Sequence, residues 1–291
     1  MLFRGGPLDL RLAHDGLERH GDARKADQTA TDADALMLPI FEGKFALSDG
    51  ALRFTEPTMV QLSVVLGDHE GKEVQLGVFE EDPFGDAEWF GLREIGSSLT
   101  AAEASLAATA LALASWHRTH KFCPRCGAPT EIESAGWMRR CTQDGSEHYP
   151  RTDPAVIVAV IDDEERILLG SQVAWETNRW SILAGFVEAG ESAEAAAKRE
   201  ILEESGVVID HLEYLGSQAW PFPGSLMFGF GARAVGGELL PDGTEIARLR
   251  WFSRSEIAAE AARLKLPNRI SIARAMIESW FGGELKGEGE I

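Results

Sequence analysis

Cysteine is nearly absent from this chain: there are three in 291 residues, Cys123, Cys126 and Cys141, all inside one short window. A disulfide framework, which uses an even and dispersed set, is thereby excluded. Positive charge is also scarce. With 28 Lys and Arg against 47 Asp and Glu, the formal net charge is −19, which opposes the counterion-releasing mode of non-specific nucleic-acid binding. A polyanionic substrate therefore needs a metal ion or a local basic patch. Long apolar runs are missing as well. The stretch from Ala104 to Trp116 is interrupted by Ser105 and Thr109, and that from Ala155 to Ile161 is short, so neither reaches the roughly 18 residues of a spanning helix. Met1 to Asp9 carries no apolar stretch or small-residue cleavage site, so the expected compartment is the cytoplasm, without a membrane partner. No internal repeat is visible.

What is present is an ordinary core-forming composition, 44% apolar and 26% charged, with length for about two domains. The patterning predicts an α+β protein in three stretches: a mixed α/β domain over 1–119, a cysteine module over 120–150 and a larger domain over 151–291. Short apolar runs alternate with Gly, Asp and Glu turns over 36–84 and read as a strand meander. Thr100-Ala101-Ala102-Glu103 is a capping box opening an Ala/Leu-rich helix to about Arg118. Beyond the cysteines, 155–161 and 167–169 flank the acidic turn Asp162-Asp163-Glu164-Glu165 as a hairpin. Strands are expected near 180–184 and over 213–219, 226–234 and 247–252, with helices over 193–205 and 269–281.

Phe122-Cys123-Pro124-Arg125-Cys126-Gly127 is a C-x2-C knuckle whose turn lets two thiolates converge on one ion, and Cys141 follows. A closed structural zinc site needs four ligands. Asp144 stands where a second C-x2-C would end, and His148 is the other nearby candidate. A small loop with free thiols is the plainer alternative, but it does not explain why every cysteine gathers here.

On the expected 193–205 helix, Ser192 is a fair N-cap, Gly206 sits at the C′ position, and Glu200, Glu203 and Glu204 are spaced i, i+3, i+4. Three carboxylates about 5–6 Å apart at Cβ repel one another. A bound cation would offset that repulsion, whereas a solvated acidic face would tolerate it. Ala195, Ala196, Ile201 and Leu202 supply the expected core stripe.

The wider pattern G-x5-E-x7-R-E-U-x-E-E-x-G-U, with U aliphatic, is filled at every position from Gly185 to Val207. This is the Nudix box, and the stretch from about Pro154 to Phe281 resembles a Nudix hydrolase domain. The resemblance implies hydrolysis of a nucleoside diphosphate linked to another moiety. It implies that Glu200, Glu203 and Glu204 hold two or more Mg²⁺ or Mn²⁺ ions, with Glu203 or Glu204 also a candidate base for the water. Arg199 would orient the carboxylates through an ion pair, with Glu191 as its candidate partner. Glu245, in the turn Pro241-Asp242-Gly243-Thr244-Glu245, matches a further metal ligand or is an ordinary exposed turn residue.

Outside the box, Ser217-Gln218-Ala219-Trp220-Pro221-Phe222-Pro223-Gly224-Ser225 resembles the SQPWPFPxS signature of the NADH pyrophosphatase branch, with Ala219 in place of the first proline. The knuckle followed by Tyr149-Pro150-Arg151 resembles that branch's zinc ribbon, with Asp144 where a fourth cysteine is usual, so Zn²⁺ would be held by Cys123, Cys126, Cys141 and Asp144 or His148. The N-terminal domain is expected to be a degenerate relative of the catalytic one. The resemblance implies that Tyr149, from the partner of a homodimer, and Phe186 sandwich a base or the nicotinamide. Ala184, Gln218, Trp220, Phe222, Ser225 and Ala273 would line the pocket, and Gly136 replaces an acidic substrate contact. The implied reactions are cleavage of NAD(H), or another dinucleotide, to nicotinamide mononucleotide plus AMP, and removal of an NAD cap from RNA. Lys121, Arg125, Arg139, Arg140 and Arg151 form either a basic track for RNA or ordinary ribbon and surface ion pairs. A Nudix hydrolase of ADP-ribose and a non-catalytic nucleotide sensor are the competing readings.

Overall fold

The computed structural model describes residues 34–285 continuously, together with Leu8, Leu10, Leu12, Ala13, Leu17, Glu18, Arg19 and Gly21. Among the described residues no helix is long and apolar enough to cross a membrane. They pack into two compact units, one built mainly from 34–152 with the loop 220–224, the other from 153–219 and 225–285.

The first unit holds strands β1 (Leu36–Phe41), β2 (Phe45–Ser48), β3 (Ala51–Leu52), β4 (Leu62–His69), β5 (Lys72–Phe79) and β6 (Trp89–Phe90). Helices α1 (Leu92–Ile95) and α2 (Ala101–Thr119) follow. The expected meander is replaced by two small sheets, ordered β1-β5-β4 and β3-β2-β6. β1 runs parallel to β5 while β4 is antiparallel to it, an arrangement that hairpins alone cannot produce. The capping box at Thr100 forms as expected. Its Glu103 is buried and also accepts a hydrogen bond from Leu52 N at 2.9 Å, so one carboxylate both starts α2 and anchors β3.

Strands β7 (Thr130–Glu133), β8 (Met138–Cys141) and β9 (Glu147–His148) form an antiparallel ribbon in the same unit. Trp137 Nε1 donates to Val65 O at 2.6 Å, and the buried His117 Nε2 lies 2.8 Å from Gly136 O. Gly136 has φ 91°, and a Cβ there would meet Val64 at 2.6 Å. Glycine is therefore required for packing against β4, and a side chain at this position could not reach a substrate without moving the ribbon.

In the second unit, β10 (Asp153–Ile161), β11 (Ile167–Gln172), β12 (Leu183–Phe186), β13 (Val207–Trp220), β14 (Ser225–Gly237) and β15 (Ile246–Phe252) make one mixed sheet, ordered β13-β14-β10-β11-β15, with β12 on β10. Every residue of β10 from Ala155 to Ile161 is buried. The reason is period-two alternation between two cores. Val156, Val158 and Val160 pack with Ala196, Ala197 and Ile201 of α3 (Ala193–Ser205), while Ile157, Ala159 and Ile161 pack with the opposite core. That core holds Ile257 of α4 (Arg254–Glu260) and Met276, Ile277 and Trp280 of α5 (Ile272–Phe281). Helix α4, capped by Ser253 and Glu256, is absent from the sequence expectation, and α5 begins three residues later than expected because Ser271 caps it.

Candidate functional site

Helix α3 forms where its caps direct it. Ser192 accepts from Ala195 N at 3.1 Å, and Gly206 ends the helix with φ 71°. The buried positions are Ala196, Ala197, Ile201, Glu204 and Ser205. This corrects the expected stripe: Ala195 and Leu202 are exposed, and Glu204 faces inward in their place. The three glutamates consequently differ. Glu203 is exposed, whereas the Glu200 and Glu204 side chains are largely covered.

Arg199 organises two of them. Its guanidinium makes a bidentate pair with Glu191, Nε to Oε1 and Nη2 to Oε2, both at 2.9 Å. Nη1 reaches Glu200 Oε1 at 2.9 Å and Glu203 Oε2 at 3.0 Å, and Nη2 also reaches Phe186 O at 2.9 Å. One cation thus ties the loop before α3, the helix itself and the end of β12, and its carboxylate partners, Glu191 first, raise its pKa. Glu204 has no such partner. Its Oε2 is buried without a hydrogen bond. Burial pushes the carboxyl up to about 8, reinforced by the negative charges of Glu200, Glu245, Asp242 and Glu203. Burial also raises the pKa of Glu200.

The fourth and fifth acids lie on one turn. Asp242 accepts from Glu245 N at 3.0 Å and Ile246 N at 2.7 Å, and its contacts, the Thr244 hydroxyl foremost, hold its pKa down at about 2. Glu245 is exposed and its carbonyl accepts from Val173 N at 2.9 Å. The sequence reasoning passed over Asp242. The Asp-Gly-Thr turn was the available signal, since Asp commonly accepts from amides further along its own turn.

Gly185 of β12 sits against this cluster, and a Cβ there would fall 2.0 Å from the Glu200 carboxyl carbon. Gly185→Ala is expected to displace Glu200 by about an ångström and to lower kcat by about a hundredfold. The melting temperature should change little, because the strand itself accommodates alanine; steady-state kinetics beside a thermal melt separates the two effects.

In the ribbon, Cys123, Cys126, Cys141 and Asp144 place one ligand atom each within 4.8 Å of one another, the one such His/Cys/Asp/Glu group among the described residues. The two knuckle ends meet. Cys126 Sγ lies 3.4 Å from Cys141 Sγ, and Cys123 Sγ lies 3.8 Å from Asp144 Oδ2. Amides of Arg125, Gln143 and Asp144 donate to the sulfurs at 3.4 Å. The Ser146 hydroxyl leads the contacts that hold the Cys123 thiol down at about 6. Cys126 is lowered by the Ala128 amide, but Cys141 and burial outweigh it and push the thiol up to about 11. His148 stands outside the group, with Nε2 3.1 Å from Ser146 Oγ.

The residues that the resemblance assigns to substrate fall in unlike places. Phe186 and Tyr149 are exposed, and Tyr149 donates to Glu147. Ala184 is exposed on β12. Gln218 is buried, donating to Ile270 O and accepting from Ile272 N, both at 2.8 Å, so it holds the start of α5 on β13. Ala273 and Ser225 are buried as well. Trp220 and Phe222 meet edge to face at 5.0 Å, and the Arg93 guanidinium lies 4.3 Å from the Phe222 ring centre. Of the five basic residues, Arg139 is buried on Thr130 and His117, and Arg140 pairs with Glu133 and Glu147, so these two serve the ribbon.

Comparison with known proteins agrees with this geometry. The NUDIX domain family matches residues 151–274, and the NADH pyrophosphatase zinc ribbon domain matches residues 118–149. A relative from Mycobacterium tuberculosis named NAD-capped RNA hydrolase NudC is 45% identical over 215 residues, 70% of this chain and 68% of that protein. The chain belongs to the Nudix hydrolase family. A human relative of this Nudix chain, named NAD-capped RNA hydrolase NUDT12, is 39% identical over 193 residues, 62% of this chain and 42% of the relative. A solved Nudix hydrolase from Nitrosomonas europaea aligns with 59% of this chain and 98% of its own at 26% identity, with a TM-score of 0.44.

Proposed function

We propose that this Nudix protein hydrolyses the pyrophosphate bond of NAD(H), giving nicotinamide mononucleotide and AMP, and removes NAD caps from RNA 5′ ends by cutting the same bond. The observation that carries the reading is the buried, unpartnered Oε2 of Glu204 beside Glu200, Glu203, Asp242 and Glu245. Hard divalent cations take such carboxylates together with phosphate oxygens and water. Glu200, Glu203, Glu204 and Glu245 would hold two or more ions. Bound there, Mg²⁺ or Mn²⁺ supplies neutralisation of the pyrophosphate and a more acidic water nucleophile.

The chain's own residues do the rest. Arg199 keeps Glu200 and Glu203 in place through the pairs described above, and either Glu203 or Glu204 accepts the proton of the attacking water. Phe186 and Tyr149 offer exposed ring faces for a base or the nicotinamide. In a homodimer the stacking tyrosine comes from the partner subunit. Ala184, Gln218, Trp220, Phe222, Ser225 and Ala273 are the further residues that this reading assigns to substrate. Cys123, Cys126, Cys141 and Asp144 hold a structural Zn²⁺, and the protein works in the cytoplasm. The relatives named NAD-capped RNA hydrolase and the zinc ribbon match support this choice of substrate.

The test is incubation of purified protein and Mg²⁺ or Mn²⁺ with NADH, NAD⁺, ADP-ribose or an NAD-capped RNA, each separately, with products resolved by chromatography. AMP is expected from both dinucleotides, with nicotinamide mononucleotide from NAD⁺ and its reduced form from NADH, and a 5′-monophosphate RNA from the capped transcript. Cleavage of ADP-ribose alone would overturn the assignment of NAD while leaving the Nudix chemistry intact. Binding without turnover would favour a nucleotide sensor.

A further inference from the structure

The unit built from 34–152 and 220–224 carries an open cavity of about 970 Å³. That volume lies at the upper end of the range for small-molecule sites. None of Glu200, Glu203, Glu204 and Glu245 lines it, and of the residues proposed for substrate Phe222 alone does. We infer that this cavity is a second ligand site, which takes a nucleoside phosphate independently of the hydrolytic carboxylates.

The first argument is charge. Four cationic side chains, Arg93, Arg118, Lys121 and Arg139, line the cavity against a single carboxylate, Glu94, in a chain whose net charge is −19. Glu94 is already engaged, accepting from Gly91 N at 2.6 Å where α1 begins. Arg139 is committed to Thr130 and His117, and Arg93 lies over Phe222. Arg118 and Lys121 differ from these. Both are exposed, and among the described residues neither side chain has a hydrogen bond or ion pair. Unpaired cations beside low-dielectric walls concentrate an anion far more strongly than the same charges on an open surface.

The second argument is shape and surface. The floor is the apolar end of the β1-β5-β4 sheet, through Ile40, Leu62 and Val78, and Leu111 and Ala114 of α2 form a wall. Two aromatic rings also line it, Phe122 and Phe222, and Phe122 is 64% exposed. The exposed Phe122 ring, lining the same cavity as Arg118 and Lys121, matches a planar base carrying a phosphate, because every base presents a π-face and the phosphate takes charge-assisted hydrogen bonds. Such a unit comes either as a free mononucleotide or as one nucleotide of an RNA chain.

The experiment is calorimetric titration of full-length protein, without added Mg²⁺ or Mn²⁺, with AMP and separately with an uncapped oligoribonucleotide. Wild type is compared with Arg118→Glu, which alters an exposed side chain without partners among the described residues, and with Ala114→Trp, which fills the cavity from α2. Binding of at least one probe is expected in wild type. Both variants should weaken it by about tenfold or more, while NADH hydrolysis stays at the wild-type rate. Binding of AMP alone identifies a free nucleotide as the ligand, and binding of the oligonucleotide alone identifies an RNA chain. No binding of either probe to wild type, or unchanged affinity in Arg118→Glu, overturns the inference. A parallel fall in NADH turnover overturns it too, since the cavity would then belong to the hydrolytic site.

Discussion

Glu204→Gln is expected to lower kcat by about a thousandfold and, in the absence of divalent metal, to raise the melting temperature at alkaline pH. The first effect follows from removing a full negative charge from the carboxylate cluster where the cation would bind. The second follows from burial, because Glu204 is not the exposed side chain that the i, i+3, i+4 spacing alone would permit. Its folded-state pKa is about 8, raised from an ordinary 4.5 by burial and then by Glu200, Glu245, Asp242 and Glu203. Below about 4.5 the carboxyl is protonated in both the folded and the unfolded chain. Between 4.5 and 8 the folded chain binds the proton more tightly, so stability falls as pH rises across this window and is lowest above it. Glutamine is neutral throughout and lacks that slope. Calorimetric scans of metal-free protein at pH 5 and pH 9 should therefore show the variant gaining about 5 °C on wild type at the higher pH. Added Mg²⁺ should restore wild type more than the variant, since binding to the native state alone stabilises it. Undiminished turnover in the variant would falsify the role of Glu204, and a pH-independent difference in melting would show that its charge is not strained.

Cys141→Ser is expected to reduce bound zinc from about one equivalent to a trace and to lower the melting temperature by about 10 °C. The ribbon's strands are only four, four and two residues long, and so small a sheet has little independent stability. A structural zinc supplies what such a sheet lacks, because its binding energy becomes folding energy. Cys141 is buried at 3% exposure and its sulfur accepts from two amides, so the loss of its thiolate leaves both donors poorly matched. Asp144→Ala should be milder, since Asp144 is exposed and water can take its place on the metal. Elemental analysis with thermal melts checks both variants. Wild-type protein with only trace zinc would remove the basis of the prediction.

The knuckle and the Nudix box were legible because each works over a few residues. Two cysteines on one turn must converge, and Ser192 with Gly206 bound a helix whose interior residues are good helix formers. The hairpin at Asp162 was equally local: Asp162 Oδ1 accepts from Glu164 N at 3.0 Å and Arg166 N at 2.8 Å. By contrast, helix α4 was passed over although Ser253 and Glu256 form a capping box. Its seven residues bury only Ile257, too little periodicity to read.

The sequence by itself determined the family, the helix that carries the glutamates and the cysteine cluster, and offered Glu191 as a candidate partner for Arg199 through the resemblance. Each rests on spacing along a turn or a helix, which tertiary context can tilt but not rearrange. Tertiary structure alone decided which glutamate is buried: with Ala196, Ala197 and Ile201 packed on the valines of β10, α3 turns Glu204 inward and leaves Leu202 exposed. It decided that Asp144 joins the thiols while His148 stays outside, since that depends on how the two ribbon turns close on each other. It also turned Gln218 inward to the start of α5 and gathered unpaired cations around a cavity in an acidic chain. These outcomes depend on residues far apart in sequence meeting in space, and the order of residues along the chain encodes such meetings only through the packing of the whole fold.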